Sequence, residues 1–143
     1  MINIDISSIQ ESHGDSVTGR ISFCFQDDFF PEENWNDKVF PIINWWGDAI
    51  VNFVDRTEDV EFLFMDGSFN VKIFSNNDDS TVEMRNGSRV LKQLVYKTED
   101  LKKEIVDGFL NSSEKLLSYI RDNKLFSKES EKLELNYRTL MNR

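Results

Sequence analysis

The chain of 143 residues reads as one α+β domain over residues 1–143: an antiparallel sheet of about six strands, made of an N-terminal hairpin plus a four-stranded meander, with one buried helix between them and two C-terminal helices. Three observations predict this. Apolar residues alternate with polar ones in the first 26 residues and return in short strand-like runs between residues 60 and 97, the pattern of half-buried strands. Between these blocks, residues 39–54 form an apolar run of helical length, and residues 98–141 carry apolar stripes at helical spacing.

The elements follow in order. Ile2, Ile4 and Ile6 alternate with Asn3, Asp5 and Ser7; after the polar stretch QESHGDS, Val17, Gly19, Ile21, Phe23 and Phe25 alternate with Thr18, Arg20, Ser22, Cys24 and Gln26. This is a β-hairpin with Cys24 on its polar face. QDDFFPEENWNDK then breaks the alternation and reads as a loop, with Pro31 as its breaker. The helix after it begins either with Asp37 as N-cap or with Phe40 as cap and Pro41 in the first helical position. Its residues Val39, Phe40, Ile42, Ile43, Trp45, Trp46, Ala49, Ile50, Phe53 and Val54 are apolar on nearly every side, which places it between layers. The adjacent Trp45 and Trp46 point about 100° apart on such a helix and are both read as core.

VEFLFM and SFNVKIF flank Asp66 and Gly67, the signature of a two-residue type I′ turn. SNNDDS leads into TVEMR, and Asn86-Gly87 signals a second primed turn before SRVLKQLVYK. Thr98, Glu99 and Asp100 cap and charge the start of a long helix, whose Leu101, Ile105, Phe109, Leu116 and Ile120 share a stripe. Gly108 weakens its middle by roughly 1 kcal/mol relative to alanine and predicts a bend or a close contact. The last helix starts near Ser127 and shows Leu133, Tyr137 and Leu140 or Met141; loose packing is expected of it.

A chain of this length buries roughly 68 to 70% of the surface its unfolded form exposes, enough for a core of its own. Twelve phenylalanines make that core as much aromatic as aliphatic. A single cysteine, Cys24, permits neither an internal disulfide nor a multi-thiolate zinc site, and fits a reducing cytoplasm. The first residues show no signal-peptide pattern and no apolar run is long enough to span a membrane.

The net charge is −9, and its distribution says more than its sum. Residues 1–66 hold fourteen acids against three bases, whereas the remainder holds twelve acids against fourteen bases. A one-sided negative field steers a basic protein partner and repels polyanions, so nucleic acid is an unexpected ligand.

Chemistry-bearing patterns are sparse. His13 is the only histidine, so nucleophilic triads or dyads would all rest on one loop residue, and a two-histidine metal site is excluded. Neither GxGxxG nor GxxxxGK[ST] occurs. DRTEDVE and SNNDDS lack the spacing and glycine turn of a calcium loop. Pairs of carboxylates are unavoidable among 26 acids and single out no acid–base couple. The expectation is a chain that is no enzyme and uses no cofactor or metal.

The segment QDDFFPEENWND combines aromatic anchors with a charged rim, the composition of a protein interface. Asp27, Asp28, Glu32, Glu33 and Asp37 supply the field; Phe29, Phe30 and Trp35 are the candidate anchors, Trp35 being the working tryptophan. Asp55, Glu58, Asp59 and Glu61 extend the field if the fold brings them near. The competing reading folds the rings back to close the core and leaves the acids to water.

FPEENWND, INWW and FLFMDG, with Phe30, Pro31, Trp35, Asp37, Trp45, Trp46, Phe64, Met65, Asp66 and Gly67 at the matching positions, resemble a pattern in small immunity proteins of bacterial polymorphic or contact-dependent toxin systems. The resemblance implies a cytoplasmic, non-enzymatic protein that binds and neutralises a cognate toxin domain, often a nuclease. It carries over no contact residue. Two other classes remain beside it: an adaptor that binds a basic segment of a host protein, and a binder of a small apolar ligand, which requires an apolar pocket beside Trp45 or Trp46.

Overall fold

A computed structural model describes residues 1–11 and 17–143. The chain is α+β with antiparallel sheets and three helices, but in place of one sheet of about six strands the described residues form eight strands in two four-stranded sheets. The first sheet contains β1 (Ile2–Glu11), β2 (Val17–Phe25), β3 (Asp28–Phe30) and β4 (Asn36–Lys38). Next come α1 (Val39–Arg56), the second sheet with β5 (Val60–Leu63), β6 (Phe69–Asn76), β7 (Asp79–Asn86) and β8 (Arg89–Lys97), then α2 (Thr98–Asn123) and α3 (Lys128–Met141).

The period-two reading holds for Ile2 and Ile4 and for Ile21, Phe23 and Phe25, while most of the stretch read as the hairpin loop, residues 12–16, lies outside the described residues. β1 and β2 pair antiparallel with Ile2 opposite Phe23 and Ile4 opposite Ile21, and these four side chains are buried. β3 and β4 are additions: both pair with the other side of β2, at Phe23–Phe25 and at Thr18–Arg20 respectively. They are one outer strand interrupted by residues 31–35.

The second sheet is the expected meander, in the order β5-β6-β7-β8. Its turns differ in detail from the expectation. Leu63 pairs with Asn70, the register a two-residue Asp66-Gly67 loop dictates, yet the ladder stops there. Gly67 alone takes a positive φ, of 83°, so the turn is not type I′, and the N–H groups of Met65 and Asp66 turn away to the Asp37 carboxylate. At the next hairpin Asn86 pairs with Arg89, so the loop is Gly87-Ser88 instead of Asn86-Gly87, with glycine in the first central position as a type II′ turn requires.

The inner faces of the two sheets meet through aromatic rings. Phe23 of β2 lies 5.2 Å from Phe62 of β5, Phe25 lies 6.3 Å from Tyr96 of β8, and Phe30 of β3 lies 5.7 Å from Phe69 of β6. Trp46 is fully buried at the side of this stack, 4.3 Å from Phe23 and 5.2 Å from Phe64, and its indole N–H donates to the Leu63 carbonyl at 2.9 Å.

Helix α1 is not sealed between layers. Ile42, Ile43, Trp46, Ile50 and Phe53 are buried, but Trp45, Asp48 and Asn52 face water, and Trp45 is 44% exposed instead of core. The helix starts at Val39 after Lys38, so neither expected cap applies and Pro41 occupies the third helical position. Likewise Thr98 makes no cap; it is buried, and its hydroxyl meets Ser80 Oγ at 2.8 Å.

The expected stripe on α2 is buried along its length. Gly108 makes a close contact: a Cβ there would stand 3.0 Å from the backbone nitrogen of Ile2 on β1. Helix α3 opens with a reciprocal Ser127/Ser130 capping box and packs tightly, since a Cβ at Gly47 of α1 would meet Asn136 Nδ2 at 2.7 Å.

Candidate functional site

The acidic segment is built on the interrupted outer strand. Phe25 pairs with Asp28 around Gln26 and Asp27, whose φ angles of 52° and 67° are the two positive values of a primed two-residue hairpin turn. That turn puts Asp27 at a tip and starts β3, where alternation turns Phe30 into the core and Phe29 to the opposite face, while Asp28, beside the turn, stays exposed. Residues 31–35 then bulge away from β2 with Glu32 and Glu33 exposed. The chain returns where the Ile21 N–H donates to the Trp35 carbonyl at 3.0 Å.

The result separates rings from charges. Asp27, Asp28, Glu32 and Glu33 are exposed together on this excursion. Phe29 is half-buried beside Glu33 and Arg20 in a shallow recess of about 320 Å³. Arg20 pairs there with Asp5 at 3.4 Å; hydrogen bonds from Ser7, aided by Arg20, hold the Asp5 carboxyl below its ordinary range. Asp28 is tied to Lys92 of β8, so the acidic turn touches the outer strand of the second sheet.

Trp35 and Asp37 serve the fold. The Trp35 ring packs edge-on against Phe69 at 5.4 Å and Phe64 at 6.1 Å, and its N–H donates to Asp37 Oδ2 at 3.0 Å. Asp37 is only 4% exposed and also accepts from the backbone N–H of Lys38, Met65 and Asp66. Oδ2 takes three of these donors and Oδ1 one, and the carboxylate is buried, so the structure spends Asp37 on holding the fold. Trp35 is half-buried, with its ring packed on Phe64 and Phe69.

Asp55, Glu58 and Asp59 do not extend this surface. They follow the C-terminal end of α1, whose 18 residues span about 27 Å, whereas Asp37 precedes its first turn. There Asp55 pairs with Arg143, Glu58 with Arg56 at 3.6 Å, and Asp59 accepts from the Ser75 N–H at 3.2 Å. The acid that does join the excursion is Asp66, exposed and held to the carboxylate that binds Trp35. In sequence it was legible only as a turn residue.

Trp45, the exposed tryptophan, lines an open groove of about 450 Å³ between α1 and the start of α3. Its neighbours include Pro41, Asp48, Lys128, Glu129 and Lys132, with Lys132 3.0 Å from Asp48, so charged side chains share the walls with the indole ring. Trp46 sits among phenylalanines instead. His13 lies outside the described residues. Among the described residues, no three His, Cys, Asp or Glu side chains converge as a metal site would need, and no helix is long and apolar enough to cross a membrane. The chain matches no protein-family model, no characterised protein and no solved structure.

Proposed function

We propose that the chain is a non-enzymatic protein-binding module, an immunity protein that neutralises a cognate toxin domain by occluding it with the acidic surface of residues 27–33. One observation carries the reading. Asp27, Asp28, Glu32 and Glu33 face water together while the neighbouring rings of Phe30 and Trp35 turn inward to hold their backbone, so the charges sit on a fixed support. A preorganised acidic surface loses little freedom on binding and attracts a basic patch from a distance. A nuclease centre that holds phosphate with Lys and Arg presents such a patch. Asp66 adds to the field, and Phe29 is the apolar contact at its edge.

The test is whether a toxin-like domain is encoded next to this chain and, taken as the partner, is neutralised by it; finding none there would count against the reading. Co-expression is expected to restore growth, and purified partner to bind with an association rate that falls steeply with salt. Replacing Asp27, Glu32 and Glu33 by Lys and Asp28 by Asn, which avoids setting a lysine against Lys92, is expected to slow association at least tenfold without altering the circular dichroism spectrum. An unchanged rate and salt dependence would remove the acidic excursion from the interface.

A further inference from the structure

The two sheets differ in how their edges are closed. β1 is backed by α2, where Ser112 donates to the Ile2 carbonyl at 3.2 Å and Gly108 lies against the Ile2 nitrogen. The outer edge of the first sheet is split into two three-residue pieces. β5 is short, and the Trp46 indole takes the Leu63 carbonyl. β8 is different: it has nine residues, roughly 30 Å of strand, and no turn or loop backbone bond among the described residues reaches Arg89–Tyr96 from the side away from β7.

Open edges are normally blunted by lysines and bulges. β8 has both, Lys92 and a bulge at Leu91, since Met84 pairs with Lys92 but Arg85 with Val90. What those devices do not explain is the apolar surface left beside them. Val90, Leu91 and Val95 are 42%, 48% and 61% exposed, although a strand that only guards an edge has no need of them. Val95 stands opposite Thr81, which stands opposite Phe74, so an apolar row crosses three strands of the outer face and ends at the open edge.

The charges say what fits there. In a chain of net charge −9, β8 carries Arg89, Lys92 and Lys97 and no acid. Lys92 and Lys97 have internal partners in Asp28 and, at 3.6 Å, Asp79, whereas Arg89 has no ion pair among the described residues. A second copy is a poor occupant of the whole strand: the two-fold register that pairs all nine residues, about Gln93, would set Arg89 against Lys97 twice, and like charges directly opposite destabilise a strand pair.

We infer that β8 receives, edge-on, an extended acidic segment of another protein as a fifth strand of the second sheet. Main-chain hydrogen bonds supply affinity, Val90 and Val95 select apolar side chains on the outer face, and Arg89 and Lys97 select carboxylates near the ends. This surface is opposite in sign to the acidic excursion, which adjoins it at the Asp28–Lys92 pair but supplies none of the groups proposed to select the segment.

The probe is a capped nonapeptide with Glu at both ends, Val at its third and eighth positions and Thr elsewhere, which as an antiparallel strand sets carboxylates against Lys97 and Arg89 and valines against Val95 and Val90; the lysine-for-glutamate version is the control, and each is added to the whole chain. The glutamate peptide is expected to bind at least tenfold more tightly than the lysine peptide by fluorescence anisotropy, and to protect β8 amides from hydrogen exchange. The double variant Arg89→Glu, Lys97→Glu, which keeps strand-compatible side chains, is expected to reverse the preference; Val95→Pro is expected to abolish binding. The variant with lysines in the acidic excursion is expected to bind the glutamate peptide no less well, which separates this proposal from the one above. Equal affinity for both peptides, no binding at millimolar peptide, protection confined to other strands, or dimerisation of the chain through β8 would each overturn it.

Discussion

The Asp37 carboxylate accepts the backbone N–H of Met65 at 3.0 Å, joining the start of α1 to the turn after β5 across 28 residues of sequence. The same oxygen takes the Asp66 N–H and the Trp35 indole, so one buried side chain fixes the acidic excursion to both sheets. Asp37→Ala would leave these donors without a partner, each at a cost of about 1 to 3 kcal/mol where water cannot reach. The expected loss is about 3 kcal/mol or more in urea unfolding. Asp37→Asn keeps one acceptor oxygen and is expected to cost visibly less.

Trp45 and Trp46 are neighbours in sequence with opposite fates, and their substitution should separate cleanly. Trp46→Ala removes a ring packed by Phe23, Phe62 and Phe64 and leaves the Leu63 carbonyl without its donor. A loss of about 3 to 5 kcal/mol is expected. Trp45→Ala touches a half-exposed side chain and is expected to cost about 1 kcal/mol or less. Acrylamide quenching checks the assignment: the accessible tryptophan signal should vanish with Trp45 and survive loss of Trp46 fluorescence.

Most of this fold was legible where a period is long enough to be unambiguous. The hairpin strands β1 and β2, the longer strands β6 to β8 of the meander and the stripes of α2 and α3 follow from alternation or from three-and-four spacing over eight residues or more. β3 and β4 have three residues each, too few to show a period, and the turn before β3 uses Gln26 and Asp27 with positive φ where glycine or asparagine is the usual mark. In the candidate site, the exposure of Asp27, Asp28, Glu32 and Glu33 was readable from charge. The burial of Asp37 was not, because its donors come from residues that are distant in sequence. Trp45 was misplaced for a related reason: an almost wholly apolar helix does not announce which side lacks a neighbour.

Tyr96 gives a pH dependence. Burial, with the Glu104 carboxylate adding to it, raises its phenol pKa above the ordinary value. A tyrosine is neutral when protonated, so the folded chain holds this proton more tightly than the unfolded one. The associated stability is complete below the ordinary pKa of about 10 and is lost as pH rises through the higher folded value. Tyr119 shifts in the same direction, through burial and Glu11. Stability measured from pH 8 to 11 is expected to fall more steeply for the native chain than for Tyr96→Phe.

Gly47 tests how closely the helices meet. In an exposed helix Gly→Ala gains roughly 1 kcal/mol of helix propensity. Here the added methyl would stand 2.7 Å from Asn136 Nδ2 and 3.0 Å from Phe109 Cζ, where α1 crosses α3 and α2. Asn136 cannot swing aside freely, because it is buried and its Nδ2 holds Asp48 at 3.2 Å. Overpacking of this kind costs typically about 1 to 3 kcal/mol, so the net effect of Gly47→Ala is expected to be destabilising. Combining it with Asn136→Ala should recover part of the loss, since the shorter side chain removes the nearest clash. A double-mutant cycle by urea unfolding measures that coupling. Strict additivity of the two substitutions would mean that α1 and α3 are farther apart than this contact places them.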